Sequence, residues 1–493
     1  MTAGPLYALL SEHPSAADEA LVTTIDGSVS LAEVRRSVDT LASTLAETGV
    51  HAGHHVAVVI DDGIGALVGA FATWKIGAVV VPLNARLTTA ELRDALTSAA
   101  PAAVVADDPS RAPAGHRVLE RAGLTTWRAV PGTLAHAPAE QGEDAALVMR
   151  TSGTTGAPKA VVMRHSGVLG GIDTVAGQLR ARPSDTGPKA PMPNLIPTSL
   201  GLWAGLWNAL FGLRVGAPLV LMDRFETTTF ATLVQRHGIR STILAPAMMS
   251  MLTADPDITD LAPLRLVRSV TAPLTPAQAR AFRERFGVGV LNCYGQTELG
   301  SEVVGWTAKD LRDYGDDKLG AVGRAHPGVD IKILDEQGNV AADGVGEVWI
   351  RSPFLSQQDD AIAARLDEAG FLQTGDIGRV DADGFLWLEG RVSDVINRGG
   401  LKVMPQEVED AIRVQPGVAD VCVAGVPDDR LGEVPVAWLV AVSGAEIRPD
   451  EIASALRARL APYKLPVDLR VVDELPRNEI GKVLRRSLIE GYP

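Results

Sequence analysis

Cysteine is almost missing from this sequence. Its 493 residues include only Cys293 and Cys422, which are far apart and lack the paired spacing of a zinc site. A disulfide framework or a cysteine-bound metal is therefore not expected as the basis of the fold. Free thiols are typical of a reducing compartment, so we expect a cytoplasmic protein.

An excess of positive charge and long apolar runs are missing as well. The 60 acidic residues outnumber the 46 basic ones, for a formal net charge of -14, so we expect no nucleic acid partner. The longest apolar stretch, residues 63–74, is too short to cross a bilayer, so we expect no membrane span. Aromatic residues make up only 4 %, but 46 % hydrophobic residues are ordinary for a globular protein.

Apolar runs alternate with helix-like segments along most of the chain. Residues 56–60 are a mostly β-branched run, residues 63–77 have the length and composition of a helix, and another apolar run follows, which predicts a βαβ unit with a parallel sheet. After about Gly315, short strands separated by Asp/Gly turns predict hairpins or a barrel. A smaller α/β unit follows, and we expect two domains, residues 1–391 and 392–493.

The segment Thr-Ser-Gly-Thr-Thr-Gly-Ala-Pro-Lys, residues 151–159, is the most informative part of the sequence. Glycine permits tight turns that bring successive backbone amides onto one anion, and the hydroxyls and lysine add further donors. It is not a P-loop, because Pro158 lacks an N–H and Ala160 lacks a hydroxyl for magnesium. The segment predicts a polyphosphate-binding loop, and its alternative interpretation is a solvent-exposed loop.

A second motif, Asn-Cys-Tyr-Gly-Gln-Thr-Glu at residues 292–298, has groups suited to a magnesium nucleotide. Tyr294 could stack on a purine, and Asn292 could bind its amino edge. Thr297 could donate to a phosphate, and Glu298 could give magnesium a hard oxygen ligand. The alternative is a Tyr-Gly turn with a solvated glutamate.

Three later motifs complete the pattern. Asp376 lies on a glycine-flanked turn and offers two acceptor oxygens, as the hydroxyls of a ribose require, although a turn-capping aspartate would look the same. Arg391 follows a glycine, and so does Lys482 near the end of the chain, where a lone lysine is otherwise most often a surface charge. The order and spacing of all five motifs are the decisive observation.

As a set, these motifs resemble those of the adenylate-forming (ANL) superfamily, which includes acyl-CoA synthetases, nonribosomal peptide synthetase adenylation domains and beetle luciferases. The resemblance covers residues 24–486 and points to stand-alone acyl-CoA synthetases. It implies an α/β fold whose large N-terminal domain has two α/β sheet subdomains plus a β-barrel subdomain, with a small mobile α/β C-terminal lid. It also implies an ATP-dependent, AMP-forming acid-CoA ligase that uses ATP, Mg2+ and CoA.

The resemblance further implies a role for each motif residue. The triphosphate would be held by Thr151, Ser152, Gly153, Thr154, Thr155, Gly156 and Lys159. The adenine side of the nucleotide would be contacted by Ala272, Pro273, Asn292, Tyr294, Gly295 and Gln296. The ribose would be held by Asp376 and Arg391. The catalytic residues would be Thr297, Glu298 and Lys482, with Glu298 as the magnesium ligand. The pantetheine arm of CoA would pass along Gly399 and Gly400, and the hinge of the lid would be Ser393.

The acid is expected to bind between about residues 193 and 273. Residues 193–222 contain no acidic side chain to pair with an α-ammonium group, so a hydrophobic or aromatic carboxylic acid is expected rather than an amino acid. Trp203, Trp207 and Phe211 share one helical stripe and could form a pocket wall, and core packing is the alternative interpretation. The other residues expected to shape the pocket are Met248, Met249, Met251 and Thr271.

The chain departs from its relatives at two relevant places. It has Val270-Thr271-Ala272-Pro273 where relatives usually carry Gly-Gly-Ala-Pro, so two added side chains are expected to narrow the space there. Ser393, followed by Asp394, replaces the usual Asp or Lys hinge. Three alternatives stay open: a homologue that only transfers the acyl group of a supplied adenylate to CoA, a loader of a carrier protein, and a ligand-binding protein. We expect a monomer or a homodimer.

Overall fold

A computed structural model of the protein describes residues 2–130, 134–151, 159–180, 191–335, 337–341, 344–356, 360–442, 444–477 and 483–492. Of residues 151, 179, 180, 360 and 361 it describes the backbone alone. The chain divides into two compact units, the first of Met1–Asp330 with Arg351–Leu372, and the second of Ile331–Ile350 with Gln373–Pro493. The expected domain boundary between residues 391 and 392 stays a prediction.

The first unit holds most of the helices and two large groups of strands. Up to the predicted phosphate loop, its elements are α1 (Ala8–Ser11), β1 (Ala20–Thr23), β2 (Ser28–Ser30), α2 (Leu31–Glu47), β3 (His55–Val59), α3 (Gly63–Lys75), β4 (Val79–Pro82), α4 (Thr89–Ala99), β5 (Ala103–Ala106), β6 (Val118–Gly123), β7 (Thr126–Val130) and β8 (Ala145–Thr151). After the loop they are β9 (Lys159–Arg164), α5 (His165–Arg180), β10 (Asn194–Ile196), α6 (Trp203–Arg214), β11 (Leu219–Leu221), α7 (Thr227–Arg236), β12 (Ser241–Leu244), α8 (Pro246–Ala254), β13 (Leu266–Ser269), α9 (Pro276–Phe286), β14 (Gly289–Gln296), β15 (Ser301–Gly305), α10 (Ala308–Tyr314), β16 (Gly323–Ala325) and α11 (Asp360–Ala363).

A seven-stranded sheet in the order β7-β6-β5-β3-β4-β8-β9 forms the first layer. Its centre is parallel, since β3 pairs in parallel with both β4 and β5. All five residues of β3 are buried, which explains why its sequence is a continuous apolar run rather than an alternating one. Helix α3 begins where Asp62 caps the amide of Gly65 and buries Phe71 and Trp74. The predicted βαβ unit is therefore confirmed.

The other strands of the first unit form a small sheet and a larger one. The small sheet has the order β10-β11-β1-β2. In the larger one, β12, β13 and β14 are parallel, and β15 and β16 continue it in antiparallel pairs. Phe230 of α7 and Phe282 of α9 are fully buried in the core on which this sheet packs. The antiparallel β14–β15 pair brings the second motif into a turn at the sheet's end.

The second unit is built mainly of antiparallel strands. Its elements are β17 (Asp330–Leu334), β18 (Gly346–Arg351), β19 (Leu372–Val380), β20 (Phe385–Arg391), β21 (Ile396–Arg398), β22 (Leu401–Val403), α12 (Pro405–Arg413), β23 (Val418–Asp428), β24 (Gly432–Ala441), α13 (Pro449–Arg457), β25 (Asp468–Val472) and α14 (Arg485–Glu490). One run of strands has the order β20-β19-β18-β17, and β19 and β20 form an antiparallel pair, as the Asp/Gly turns predict. A second sheet has the order β22-β21-β24-β23, and β25 joins β24 in parallel.

Candidate active site

The predicted nucleotide motif forms the end of β14. Asn292 is buried; its Nδ2 donates to the carbonyl of Ala321 at 3.3 Å, and its Oδ1 accepts from the Cys293 amide at 3.0 Å. Farther along the strand, Nε2 of Gln296 donates to the Tyr294 hydroxyl at 3.1 Å. Hydrogen bonds within the protein thus orient these side chains, and the contact of the strand with an adenine stays a prediction.

A tightly packed turn follows at the predicted phosphate and magnesium residues. Thr297–Leu299 form one turn of 3-10 helix, and the carbonyl of Thr297 accepts from the Ser356 hydroxyl at 2.7 Å. Gly300 then has a left-handed backbone with a φ of 80°, and a Cβ at this position would collide with the carbonyl of Phe354. Because a side chain does not fit here, packing fixes the path of the backbone from β14 to β15.

The Glu298 carboxylate pairs with an arginine of the same unit. Its Oε1 lies 3.3 Å from Nη1 of Arg365, and the Glu298 side chain is 16 % exposed. Among the residues that the structure describes, no three His, Cys, Asp or Glu side chains come together as a cation site. Mg2+ usually takes one or two protein carboxylates together with substrate phosphates and waters. A single oriented carboxylate therefore fits a magnesium ion that arrives with its nucleotide.

Part of the predicted triphosphate and catalytic set lies outside the described residues: Ser152, Gly153, Thr154, Thr155, Gly156 and Lys482, with the side chain of Thr151. The strands that border the loop are described. In the antiparallel β8–β9 pair, Thr151 lies opposite the exposed Lys159. The two ends of the loop are therefore neighbours, and its role in phosphate binding stays a prediction.

Thr271 has a strained backbone conformation. Its φ of 74° lies in the left-handed region, which a β-branched residue rarely adopts. The side chain is exposed, and the next amide, that of Ala272, donates to the carbonyl of Val270 at 3.0 Å. A strained non-glycine residue of this kind costs roughly 1–3 kcal/mol. We expected added side chains to narrow the site, but missed that this position itself requires a glycine-like backbone, although the glycine of its relatives was the signal.

The two predicted ribose residues are brought together in the second unit. Asp376 on β19 lies opposite Arg391 on β20, and Nε of Arg391 is 2.9 Å from Oδ1 of Asp376. The carboxylate side chain is only 5 % exposed, and its backbone amide donates to the Thr374 hydroxyl at 3.1 Å. A buried, oriented acceptor suits a sugar diol, and this role stays a prediction.

The predicted pocket wall on α6 packs into the hydrophobic core that also contains α2 and α3. Trp207 is buried and stacks on Phe211 with 5.5 Å between the ring centroids, and Trp203 lies partly buried against the same core. Core packing, the alternative interpretation, accounts for this stripe. On α8, Met249 is fully buried and Met248 partly buried, whereas Met251 is exposed. A role for Trp203, Trp207 and Met248 in acid binding stays a prediction.

The predicted hinge and the predicted CoA glycines lie on neighbouring turns of the second unit. Ser393 belongs to a 3-10 turn, and its hydroxyl donates to Oδ1 of Asp394 at 3.0 Å. Gly399 and Gly400, with φ of 61° and 86°, join β21 to β22. Two consecutive left-handed residues are typical of a tight hairpin turn, so both glycines already have a structural reason. Their roles toward CoA, and that of Ser393 as hinge, stay predictions.

Two family models match this chain. The model described as AMP-binding enzyme matches residues 11–358, and the one described as AMP-binding enzyme C-terminal domain matches residues 407–482. The chain belongs to the AMP-binding enzyme family. This assignment confirms the adenylate-forming superfamily predicted from the motifs.

Individual relatives match this AMP-binding enzyme over nearly its whole length. It is 30 % identical to a sulfoacetate-CoA ligase of Cupriavidus necator, over 91 % of this chain and 90 % of the relative. It is also 30 % identical to an indoleacetate-CoA ligase of Aromatoleum aromaticum, over 92 % and 91 %. Among solved structures, ATP-bound MatB from Rhodopseudomonas palustris superposes with a TM-score of 0.86 at 28 % identity, covering 100 % of this chain and 99 % of that one.

These matches confirm the predicted α/β fold class and an ATP-dependent enzyme of the AMP-forming acid-CoA ligase type. No helix in the described parts of the AMP-binding enzyme is both long and apolar enough to cross a membrane.

The first unit also contains a buried ionic group that no sequence motif indicates. We call it the Glu302 cluster, and it consists of Gln178, Arg268, Glu302 and His326. Oε1 of Glu302 accepts from Nη1 of Arg268 at 3.2 Å and lies 2.7 Å from Nε2 of His326. The other ring nitrogen, Nδ1, lies 2.9 Å from Nε2 of Gln178. These contacts fit a neutral imidazole that donates to Glu302 and accepts from Gln178.

The Glu302 cluster is directly beside the nucleotide motif. Its arginine is on β13 and its glutamate on β15, so it flanks β14 on both sides, and Glu302 lies opposite Gly295. Burial by itself would raise the pKa of the Glu302 carboxyl, but Arg268 and the His326 hydrogen bond outweigh it and lower that pKa. Burial and the adjacent Glu302 carboxylate raise the pKa of the Cys293 thiol well above its usual value. The glutamate is therefore charged and the thiol neutral at neutral pH.

A second such group, the Arg485 cluster, consists of Asp394, Glu409 and Arg485 in the second unit. Nη1 of Arg485 lies 3.2 Å from Oδ2 of Asp394, and Nη2 donates to Oε1 of Glu409 at 2.8 Å. Burial alone would lower the pKa of this guanidinium, but the two carboxylates raise it. Burial raises the pKa of the adjacent Cys422 thiol to about 12. No sequence motif indicates this cluster, because Glu409 and Arg485 are 76 residues apart.

Proposed function

We propose that the protein activates a carboxylic acid with ATP and Mg2+ as an acyl-adenylate and then transfers the acyl group to CoA. The observation that carries this proposal is the turn after β14, in which Thr297 and Glu298 are held in place by Ser356, Arg365 and the packing of Gly300. Such a preorganised turn lets donors and a metal ligand meet a developing charge without moving.

The residues would divide the electrostatic work of the first half-reaction. A carboxylate that attacks the α-phosphate brings two anions together, and at about 4 Å each such charge pair costs roughly 4 kcal/mol near a protein surface. Lys482 would offset a cost of this size, Thr297 would donate to the α-phosphate, and Glu298 would hold magnesium in the orientation set by Arg365. Bound magnesium would supply positive charge to the phosphates.

The proposed substrate is a hydrophobic or aromatic acid. The absence of acidic side chains from residues 193–222 supports this choice, because an amino acid substrate would need a partner for its ammonium group. The named relatives act on acids as different as sulfoacetate and indoleacetate, and the second of these is aromatic. We further propose a cytoplasmic monomer or homodimer, and keep a carrier protein as the alternative acyl acceptor.

Pyrophosphate and AMP formation with a panel of aryl and alkyl acids tests the proposal. Acid-dependent pyrophosphate release that needs ATP and Mg2+ is the expected result, with CoA-dependent AMP formation in addition. Release without any CoA effect would favour a carrier protein as acceptor. Thioester formation only from a supplied acyl-adenylate would reveal an enzyme that retains just the second half-reaction. A chain that binds these acids and forms neither product would be a ligand-binding protein, and the proposal would be wrong.

A further inference from the structure

We propose that the Glu302 cluster is the part of the acid site that selects the substrate, and that it binds a neutral O–H or N–H donor at the end of the acid distant from its carboxylate. This inference rests on the proposed function and narrows its substrate class. The expected acid is a short or single-ring molecule with a hydroxyl, amino or similar N–H group, not an unsubstituted hydrocarbon and not a diacid.

The Glu302 cluster lies close to the residue predicted to contact the α-phosphate. Glu302 lies opposite Gly295, and Thr297 follows two residues later. Two strand residues span about 7 Å, so the cluster begins about that far from the residue predicted to contact the α-phosphate. A single aromatic ring with a substituent bridges such a distance. Gln178 lies on α5. This helix follows β9, and β9 begins at Lys159, the last residue of the predicted phosphate loop.

Small residues make room for this arrangement. A Cβ on Gly305 would collide with Oε1 of Glu302 and would lie 3.1 Å from Cε1 of His326. A Cβ on Gly171 of α5 would lie 2.6 Å from Oγ of Ser301. The glycines therefore permit both the buried carboxylate and the close approach of the helix to β15.

The unused hydrogen-bonding capacity of the cluster indicates what it would bind. Arg268 and His326 both bond to Oε1 of Glu302, and the Cys293 thiol also hydrogen-bonds to this carboxylate. A carboxylate offers about four acceptor positions over its two oxygens, so about one remains. Gln178 uses its amide nitrogen on His326, and its carbonyl oxygen has no hydrogen bond from the residues that the structure describes. The Glu302 carboxylate and the Gln178 carbonyl therefore keep acceptor positions, so this corner suits a donor.

The charge balance of the cluster disfavours a second anionic group on the acid. Arg268 and Glu302 neutralise each other, and the hydrogen bonds of His326 fit a neutral ring. A second anion on the acid would have to displace Glu302 from Arg268, and an unpaired charge in a buried site is strongly disfavoured. A neutral donor adds a hydrogen bond without disturbing the ion pair. The donor of the acid and the acceptor of Glu302 then satisfy each other. An unsubstituted acid would bury the Glu302 acceptor without a hydrogen bond to it.

The test compares acids of matched size with matched variants. Pyrophosphate release is measured with phenylacetate, its 4-hydroxy and 4-amino derivatives, and a 4-carboxy derivative, for the natural protein, Glu302→Gln, Gln178→Ala and the exposed control Glu284→Gln. The proposal expects kcat/KM for the hydroxy or amino acid to exceed that for phenylacetate by at least about tenfold. Both cluster variants should reduce this ratio, whereas Glu284→Gln should keep it. Gln178→Ala removes a half-buried side chain and keeps the ion pair, so it covers the case in which Glu302→Gln does not fold.

Binding of the corresponding acyl-sulfamoyl-adenosine analogues, measured by calorimetry, separates this inference from the proposed function. The same donor preference in binding, lost in the variants, would support the cluster as the selective subsite even if no acid were turned over. Turnover of phenylacetate equal to that of its hydroxy and amino derivatives, or a preference for the 4-carboxy acid, would overturn the inference while the ligase function stood.

Discussion

Each unit of the protein pairs an arginine with a buried glutamate, but the two clusters differ in which hydrogen-bonding groups the protein already uses. In the Arg485 cluster, the two guanidinium nitrogens Nη1 and Nη2 serve two carboxylates, and Nε donates to the Val423 carbonyl at 3.3 Å. In the Glu302 cluster, one carboxylate oxygen serves both Arg268 and His326. In the first arrangement every guanidinium nitrogen donates to the protein, whereas in the second Arg268 and His326 share one of the two carboxylate oxygens. The comparison agrees with a structural link in the second unit and with the binding role proposed for the Glu302 cluster in the first.

The Arg485 cluster also joins two segments with predicted functions. Asp394 follows the predicted hinge residue Ser393, and Arg485 begins α14 shortly after Lys482. Arg477 and Val483, on either side of residues 478–482, pair as an isolated bridge. The predicted hinge turn and the start of α14 are therefore connected within one unit through the partly exposed Asp394–Arg485 pair.

Removal of Arg485 should have the largest effect. Arg485→Met removes the nearest cation of the buried Glu409 and of the partly exposed Asp394. Loss of a partner from a fully buried pair costs about 3–5 kcal/mol, and we expect about 2–3 kcal/mol here because Arg413 remains 3.8 Å from Glu409. Arg485→Lys should rescue little, because an ammonium group lacks the planar fork that serves two carboxylates. Urea denaturation measures both. The matched control is Arg486→Ala, whose pair with Glu490 is exposed and should change stability by less than about 1 kcal/mol. Equal effects of Arg485→Met and Arg486→Ala would remove the basis of the comparison.

Removal of Lys482 should separate the two half-reactions. Lys482→Ala is expected to slow adenylate formation by roughly 10²- to 10³-fold, because one cation no longer offsets the repulsion between carboxylate and phosphate. Thioester formation from a supplied acyl-adenylate should suffer much less. Pyrophosphate release and single-turnover thioester formation measure the two steps, and Lys309→Ala, which removes an exposed lysine of α10, serves as the control. An equal loss in both steps would argue against the assigned role.

The Glu302 cluster should reveal itself in the pH dependence of stability. Since the pKa of Glu302 in the folded protein is below its ordinary value of 4.5, its contribution is present above that value and is lost as the pH falls through the folded pKa. The groups that face it are Arg268, His326 and Cys293. Urea midpoints between about pH 7 and about pH 3 should therefore fall less steeply for Glu302→Gln than for the natural protein. Parallel curves for the two proteins would contradict the lowered pKa.

The smallest expected effect concerns the strained turn next to β13. Thr271→Gly should raise the free energy of unfolding by up to about 1 kcal/mol, because relief of the left-handed strain outweighs the greater freedom of glycine in the unfolded chain. Thermal unfolding measures this change. Ala100, which ends α4 with a φ of 42°, provides a second test in the same direction as Ala100→Gly. Destabilisation by Thr271→Gly would show that the threonine side chain makes a compensating contact.

Local patterns in the sequence predicted much of this protein. The apolar run of β3 and the helix behind it were readable because neighbouring residues determine them, and the motif that ends β14 was recognisable from its spacing. Asp376 and Arg391 were expected at one ribose from the family resemblance alone, and the β19–β20 hairpin places them side by side. The two ionic clusters were not readable, because Arg268 and Glu302 are 34 residues apart and Asp394 and Arg485 are 91 apart. Only the order of the strands and the packing of helices bring such residues together.

Gly300 has a consequence for how this enzyme can diverge. It stands between Glu298 and Glu302, and the Phe354 carbonyl leaves no room there for even a methyl group. Under the proposed role of the Glu302 cluster, substitutions on the β15 side of Gly300 change which acid binds, while the turn at Thr297 and Glu298 keeps its shape. A relative of this chain could therefore change its acid substrate through a few substitutions on β15, while the residues predicted to bind ATP stay the same.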